Sequence, residues 1–243
     1  MRAGRILLGE RRLIALGIVG SRPNTRADHR LESATDIRNY DVLVTDVVEG
    51  AAAEVEAALA ADVSCVLWVD ADDDITALGG EFAARGRTLV VGANLASGIA
   101  PCLASHESAR TDEVLEVRYA WTEPGKPLRR GEPLPFPEPV GARWGQGRGT
   151  LGIFRRFAAP VEGEWAAAMA QVTVGTPAGV VTRIVGVADH GAHLEAIALA
   201  TAAITIADYP FGLVTPSDRP ESFLASALAI GLDVAAYSTE PVR

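Results

Sequence analysis

The sequence predicts an α/β fold, with a parallel sheet in the first part of the chain and an α+β unit after it, on three observations. Short apolar runs rich in Val, Ile and Leu recur at 13–20, 41–48, 64–69 and 88–91. Stretches of helical composition separate the last three, and the connections are only a few residues long. Beyond Ala100 that alternation stops, and longer strand-like runs precede one long apolar helix. Alternation of strand and helix favours a parallel sheet covered on both faces, whereas strands followed by helices favour α+β.

Taken in order, 13–20 (LIALGIVG) is bounded by the turn formers Ser21, Pro23 and Asn24, and its length suits a buried parallel strand. A second run of this kind is 41–48 (DVLVTDVV). The helix after it covers 54–61 and begins near Gly50, and 64–69 (SCVLWV) is the next buried strand. An acidic turn at 70–74 leads into a helix over 76–85, closed by Gly86. Strand 88–91 then runs into Gly92-Ala93-Asn94. Right-handed crossovers place Thr45-Asp46, Val69-Asp70 and Gly92-Asn94 along one edge of the sheet, the edge where open α/β sheets bind ligands. The pattern is the later half of a Rossmann-like parallel sheet with an incomplete first half.

Residues 101–108 start a helix, and 114–121 (VLEVRYAW) alternates as a half-buried antiparallel strand does. The stretch 123–149 holds six of the fourteen prolines and is too long for an ordinary connection, so it reads as a functional loop or a disordered lid. Strands follow at 154–157, 167–174 and 180–187, then the longest helix at 192–206. A Pro-rich turn, a helix over 221–230 and a strand over 232–237 close the chain. The expected division is a nucleotide-binding domain over 1–104 and an α+β substrate and dimerisation domain over 105–243, whose last helix and strand can pack back on the first.

With 49% hydrophobic and 22% charged residues, the chain is globular. A net charge of −9 argues against a nucleic-acid surface, which needs clustered Lys and Arg. No apolar run reaches the ~20 residues of a membrane span, and 13–20 is too short for a signal core. Cys65 and Cys102 lack CxxC spacing and read as buried thiols in a reducing compartment. The expectation is a cytoplasmic protein acting on a small molecule.

A dinucleotide domain normally opens with a strand entering GxGxxG. Here Gly4, Gly9 and Gly17 stand at the wrong spacing. If 13–20 is the second strand of such a sheet, the first strand and glycine loop would lie before Met1. Otherwise the site is lost, or 5–9 is itself a short strand with a non-standard turn. Ser21 and Arg22 stand where an acidic residue would bind ribose hydroxyls, so they suit the 2′-phosphate of NADP; the other reading is a solvated turn. Thr45, Asp46 and Asn94 would line the nicotinamide side. The Gly92-Ala93-Asn94 turn offers free N–H groups and an amide to a ligand, or else Asn94 only caps a helix. Ser97 and Gly98 would position substrate. His106, following this segment, is the candidate general acid. His190 and His193 could share a metal with Glu195, but Asp-His-Gly also suits a turn into the next helix, and no metal site is assigned.

TLVVGANLASGIAP resembles the Ala-Pro-Asn-Phe-Ser-x-Gly segment that ends the nucleotide domain of dihydrodipicolinate reductase-like enzymes, and the order YDVLVTD, helix, SCVLWVD is similar to that family. FGLVTPSDRPESFLASALAIGLDVAAYS resembles the end of saccharopine dehydrogenase-like proteins, where a Gly-x-x-x-Pro turn precedes a helix and final strand. These resemblances cover about half of the chain. They imply an NAD(P)-dependent reductase of an imine or amino-acid-derived substrate, and a homodimer. The chain departs from the reductase pattern at RYAWTEPGKPLRRGEP, where a His pair is absent and the lone Lys126 is either a substrate-carboxylate ligand or simply solvated. That departure, with the missing glycine loop, also supports a second expectation: a reductase-like protein that binds a ligand or a partner without redox chemistry.

Overall fold

The computed structural model describes residues 16–19, 38, 40–110, 113–122, 150–151 and 165–239. Two sheets organise them. The first is wholly parallel and runs in the order β1 (Leu16–Val19), β2 (Val42–Thr45), β3 (Ser64–Leu67), β4 (Thr88–Val90) and β9 (Gly212–Val214). Helices α1 (Ala51–Ala60) and α2 (Asp73–Ala84) link its middle strands. The second sheet has the order β10 (Ala235–Ser238), β8 (Gly179–His190), β7 (Trp165–Thr176), β5 (Val114–Trp121) and β6 (Thr150–Leu151). Its strands pair antiparallel except β5 with β6.

Strands β2, β3 and β4 are mostly apolar because both of their faces are buried. Leu43, Cys65, Leu67 and Leu89 pack with Val55, Leu59, Ile75 and Phe82 of α1 and α2. Val42, Val44, Val66 and Val90 face a second core, shared with α3 (Ala100–Ala109), α4 (Gly191–Ile204), α5 (Pro220–Ala229) and the inner face of the second sheet. The strand period of two thus divides neighbouring residues between two cores. In the second sheet, Ala166, Ala168, Ala170, Val172 and Val174 of β7 point inward, and the alternate residues are half-buried or exposed.

Local signals behave as their chemistry demands. The Asp72 carboxylate accepts from the Ile75 N–H at 2.9 Å and caps α2. Gly86, at φ 64°, follows the end of that helix. Both cysteines are buried free thiols, and burial pushes them well above the ordinary thiol range.

Three expectations change. First, β1 pairs directly with β2. With β2 to β4 as the later strands of a 3-2-1-4-5-6 dinucleotide sheet, the neighbour of β2 is the first strand. The run at 13–20 therefore takes the first-strand place rather than the second. Second, Gly212–Val214, expected to be a turn, adds the fifth parallel strand beside β4. Three residues are too few to show a period, and only β4's free edge reveals the strand. Third, β10 does not return to the first sheet but pairs with β8, in the second. The expected strand at 154–157 and the loop at 123–149 lie outside the described residues.

Candidate functional site

The parallel register aligns Val19 with Thr45 and Thr45 with Leu67, so the carboxyl ends of β1, β2 and β3 reach one edge together. Thr45 is buried, and its Oγ1 accepts from the Val47 N–H at 3.2 Å, shaping the turn that presents half-buried Asp46. Beyond β4, Gly92 sits at φ 67°. A Cβ at Gly92 would lie 2.7 Å from Asp70 Oδ1 and 2.8 Å from Ser97 Cβ, so glycine is what lets Asp70 and Ser97 close around this turn.

The expected free donors of the turn are engaged inside the protein. Gly92 N–H donates to Val69 O at 2.7 Å, Ala93 N–H to Leu67 O at 3.0 Å, and Asn94 N–H to Gly92 O at 2.8 Å. Asn94, 9% exposed, donates through Nδ2 to Trp68 O at 2.8 Å and accepts at Oδ1 from Ser97 N–H at 2.8 Å. Its helix-capping role is therefore present, with an added tie to the end of β3. The helix it caps begins as a π-helical turn, Leu95–Ile99. At Gly98 a Cβ would approach Gly92 O to 3.0 Å, which makes this glycine a packing requirement of the same turn. The half-buried Ser97 hydroxyl is left with no hydrogen-bond partner among the described residues.

Glu195 joins this edge to the second half of the chain. Its Oε2 accepts from Trp68 Nε1–H at 2.7 Å and from Leu95 N–H at 3.1 Å, across 127 and 100 residues of sequence. Leu95 opens the π-helical turn, so the carboxylate sits at a helix start, where a negative group is favoured. Burial raises the Glu195 pKa, and the two hydrogen bonds oppose that rise. A Glu195 that completes a site with His190 and His193 does not form. Two residues along a helix turn about 200°, which sends Glu195 to the face opposite His193.

His193 makes a different pairing. Its Nδ1 lies 2.5 Å from Asp189 Oδ2, while Asp189 Oδ1 accepts from the His190 N–H at 2.6 Å. The bond to His193, then that backbone bond, holds the Asp189 carboxyl below its ordinary range. Both side chains are 33% exposed. A carboxylate at Nδ1 fixes the proton there and leaves Nε2 to exchange a proton with a ligand. Trp165, 59% exposed, pairs in register with His190 and stacks on its ring at 5.1 Å between centroids. The signal for the pair was present in the sequence as Asp-x-x-x-His across a strand-to-helix junction.

The other candidates separate. His106 lies near the end of α3, twelve residues and roughly 18 Å along the helix from Asn94, and its Nδ1 is buried without a hydrogen-bond partner. The structure does not bring His106 to the Asn94 edge. Ser21, Arg22 and Lys126 lie outside the described residues.

No family model matches the chain, and no curated protein matches it in sequence. Solved structures do. The chain is similar to apo histidine-tagged saccharopine dehydrogenase (L-Glu forming) from Saccharomyces cerevisiae, with a TM-score of 0.67 at 10% identity over 98% of each chain. It is also similar to GenD2 from gentamicin A biosynthesis, solved in complex with NAD, with a TM-score of 0.52 at 12% identity over 94% of this chain and 88% of that one. The protein has the Rossmann-type fold of saccharopine dehydrogenase-like proteins.

Proposed function

We propose that this protein is an NAD(P)-dependent oxidoreductase acting on an imine or amino-acid-derived substrate. The observation that carries the proposal is the Asp189–His193 pair. It sits at the start of the helix whose Glu195 is bonded to the carboxyl edge of the parallel sheet, but on the opposite side of that helix from Glu195. The substrate would therefore have to extend round the helix start to meet it. The fold shared with saccharopine dehydrogenase supports the substrate class, and the NAD held by GenD2 supports the cofactor class. The expected preference for NADP depends on Ser21 and Arg22 following a second strand. With β1 in the first-strand place that support falls away, and the proposed cofactor is NAD or NADP without preference.

The described edge suits the nicotinamide end of such a cofactor. Thr45-Asp46, Trp68 and the Gly92-Asn94 turn surround the strand ends, and the Ser97 hydroxyl is available for a substrate group. The bound cofactor would supply a hydride. The chain's own part is to orient substrate through Ser97 and to deliver a proton from Nε2 of the His193 imidazolium, with Asp189 accepting from Nδ1–H and holding the ring in place as the proton leaves. Lys126 would receive a substrate carboxylate. His106 is retained only as an alternative acid, for a substrate that reaches α3.

The test is oxidation of NADPH and of NADH by the whole protein with a panel of cyclic imines and of 2-oxo acids mixed with amines. His193→Asn should lower turnover ~100-fold or more with cofactor affinity unchanged. Unaltered turnover would remove His193 from the mechanism. One observation favours a second reading, a ligand-binding protein without redox chemistry. All three N–H groups of the Gly92-Asn94 turn are already engaged internally.

A further inference from the structure

A second opening lies at the other end of α3 from the candidate site. Its cavity is about 440 Å³, lined by Glu107 of the last turn of α3, Arg110 just past that helix, Arg183 of β8 and Ser238 of β10. Arg183 and Ser238 are register partners, so one strand pair presents both. Glu107 is only 7% exposed, yet its carboxylate has a single marginal contact, Arg110 Nη1 at 3.4 Å. A buried carboxylate normally gathers several donors. Arg183 has no hydrogen-bond or ion-pair partner among the described residues. An under-satisfied carboxylate and an unpartnered guanidinium therefore line the same opening, with a second guanidinium between helix end and solvent.

We infer that this cavity is a binding site for a small amino dicarboxylate, an acidic amino acid, separate from the site at the sheet edge. Two guanidinium groups and one carboxylate leave the site one net positive charge, which matches a ligand with two carboxylates and one ammonium. Arg183 and Arg110 receive the carboxylates, in the fork geometry that suits them. Glu107 receives the ammonium, and the Ser238 hydroxyl supplies one further hydrogen bond. A plain anion satisfies the arginines but leaves Glu107 as it was.

The experiment is calorimetric titration of the full chain with L-glutamate, succinate and inorganic phosphate. Glutamate should bind saturably and at least tenfold tighter than succinate or phosphate. Arg183→Gln should weaken glutamate and succinate together, at least tenfold. Glu107→Gln should weaken glutamate by a similar factor and leave succinate unchanged or improved. The inference is overturned if glutamate binds no better than succinate, or if its binding survives both variants, which would place it elsewhere. His193→Asn should leave this binding unchanged, so failure here and failure of the proposed reaction are read separately.

Discussion

Removing Glu195 tests the join between the two halves of the chain. Glu195→Ala leaves Trp68 Nε1–H and Leu95 N–H without their acceptor. An abandoned buried donor costs about 1–3 kcal/mol; Trp68 is half-buried, so water recovers part of its share. Loss of the desolvated carboxylate offsets some of the rest, and the net cost comes to about 2–3 kcal/mol. For a chain of this length that lowers Tm by about 5–10 °C. Glu195→Gln keeps an oxygen acceptor of the same shape and should stay within about 1 kcal/mol of the parent. The pH dependence adds a sign. Because the folded pKa is raised, the carboxylate form is penalised on folding. The group's contribution to stability therefore falls as pH rises from the unfolded carboxylate value through the raised folded value, and is flat above it. Glu195→Gln removes that slope. Thermal unfolding followed by circular dichroism and tryptophan emission, from acid to neutral pH, reads both effects. An alanine variant within about 0.5 kcal/mol of the parent, or a glutamine variant as damaged as alanine, would refute the join.

Other substitutions probe the edge separately. Gly92→Ala, at φ 67° with contacts of 2.7 and 2.8 Å awaiting its Cβ, should destabilise by about 2 kcal/mol or more and loosen Ser97, read by urea unfolding. Asp72→Ala removes the cap of α2 and should cost about 1 kcal/mol in the same assay, with substrate turnover unaffected. Asp189→Asn should lower turnover in the direction of His193→Asn and shift the acidic side of its pH profile. Since the Asp189 pKa is depressed, its support of the fold is present above the ordinary carboxylate value and is lost as pH falls through the depressed one. The substitution should flatten stability there, by little because the pair is one-third exposed.

The parallel sheet was legible because β2, β3 and β4 are buried on both faces, and continuous runs such as SCVLWV admit few other placements. The long strands β7 and β8 were legible from β-branched and alternating residues, and α4 from its length. Gly212–Val214 was not, since a strand that short takes its identity from the neighbour it pairs with. At the site, sequence placed Thr45, Asp46, Gly92 and Asn94 at one edge correctly, because strand ends in a parallel sheet must converge. It considered Glu195 only as a metal ligand and missed its bond to Trp68, since the two are 127 residues apart and meet only through the packing of α4 on the sheet. It set His106 near that edge through nearness in sequence, but a helix that starts at an edge carries its later residues away from it.

Calorimetric titration of the whole protein with NADPH and NADH tests the proposed cofactor most directly. The account predicts saturable binding of at least one of the two, with Trp68 emission quenched in parallel and the quench lost in Trp68→Phe. Absence of binding by either at millimolar cofactor would contradict it, and would leave a Rossmann-type fold that performs no redox chemistry.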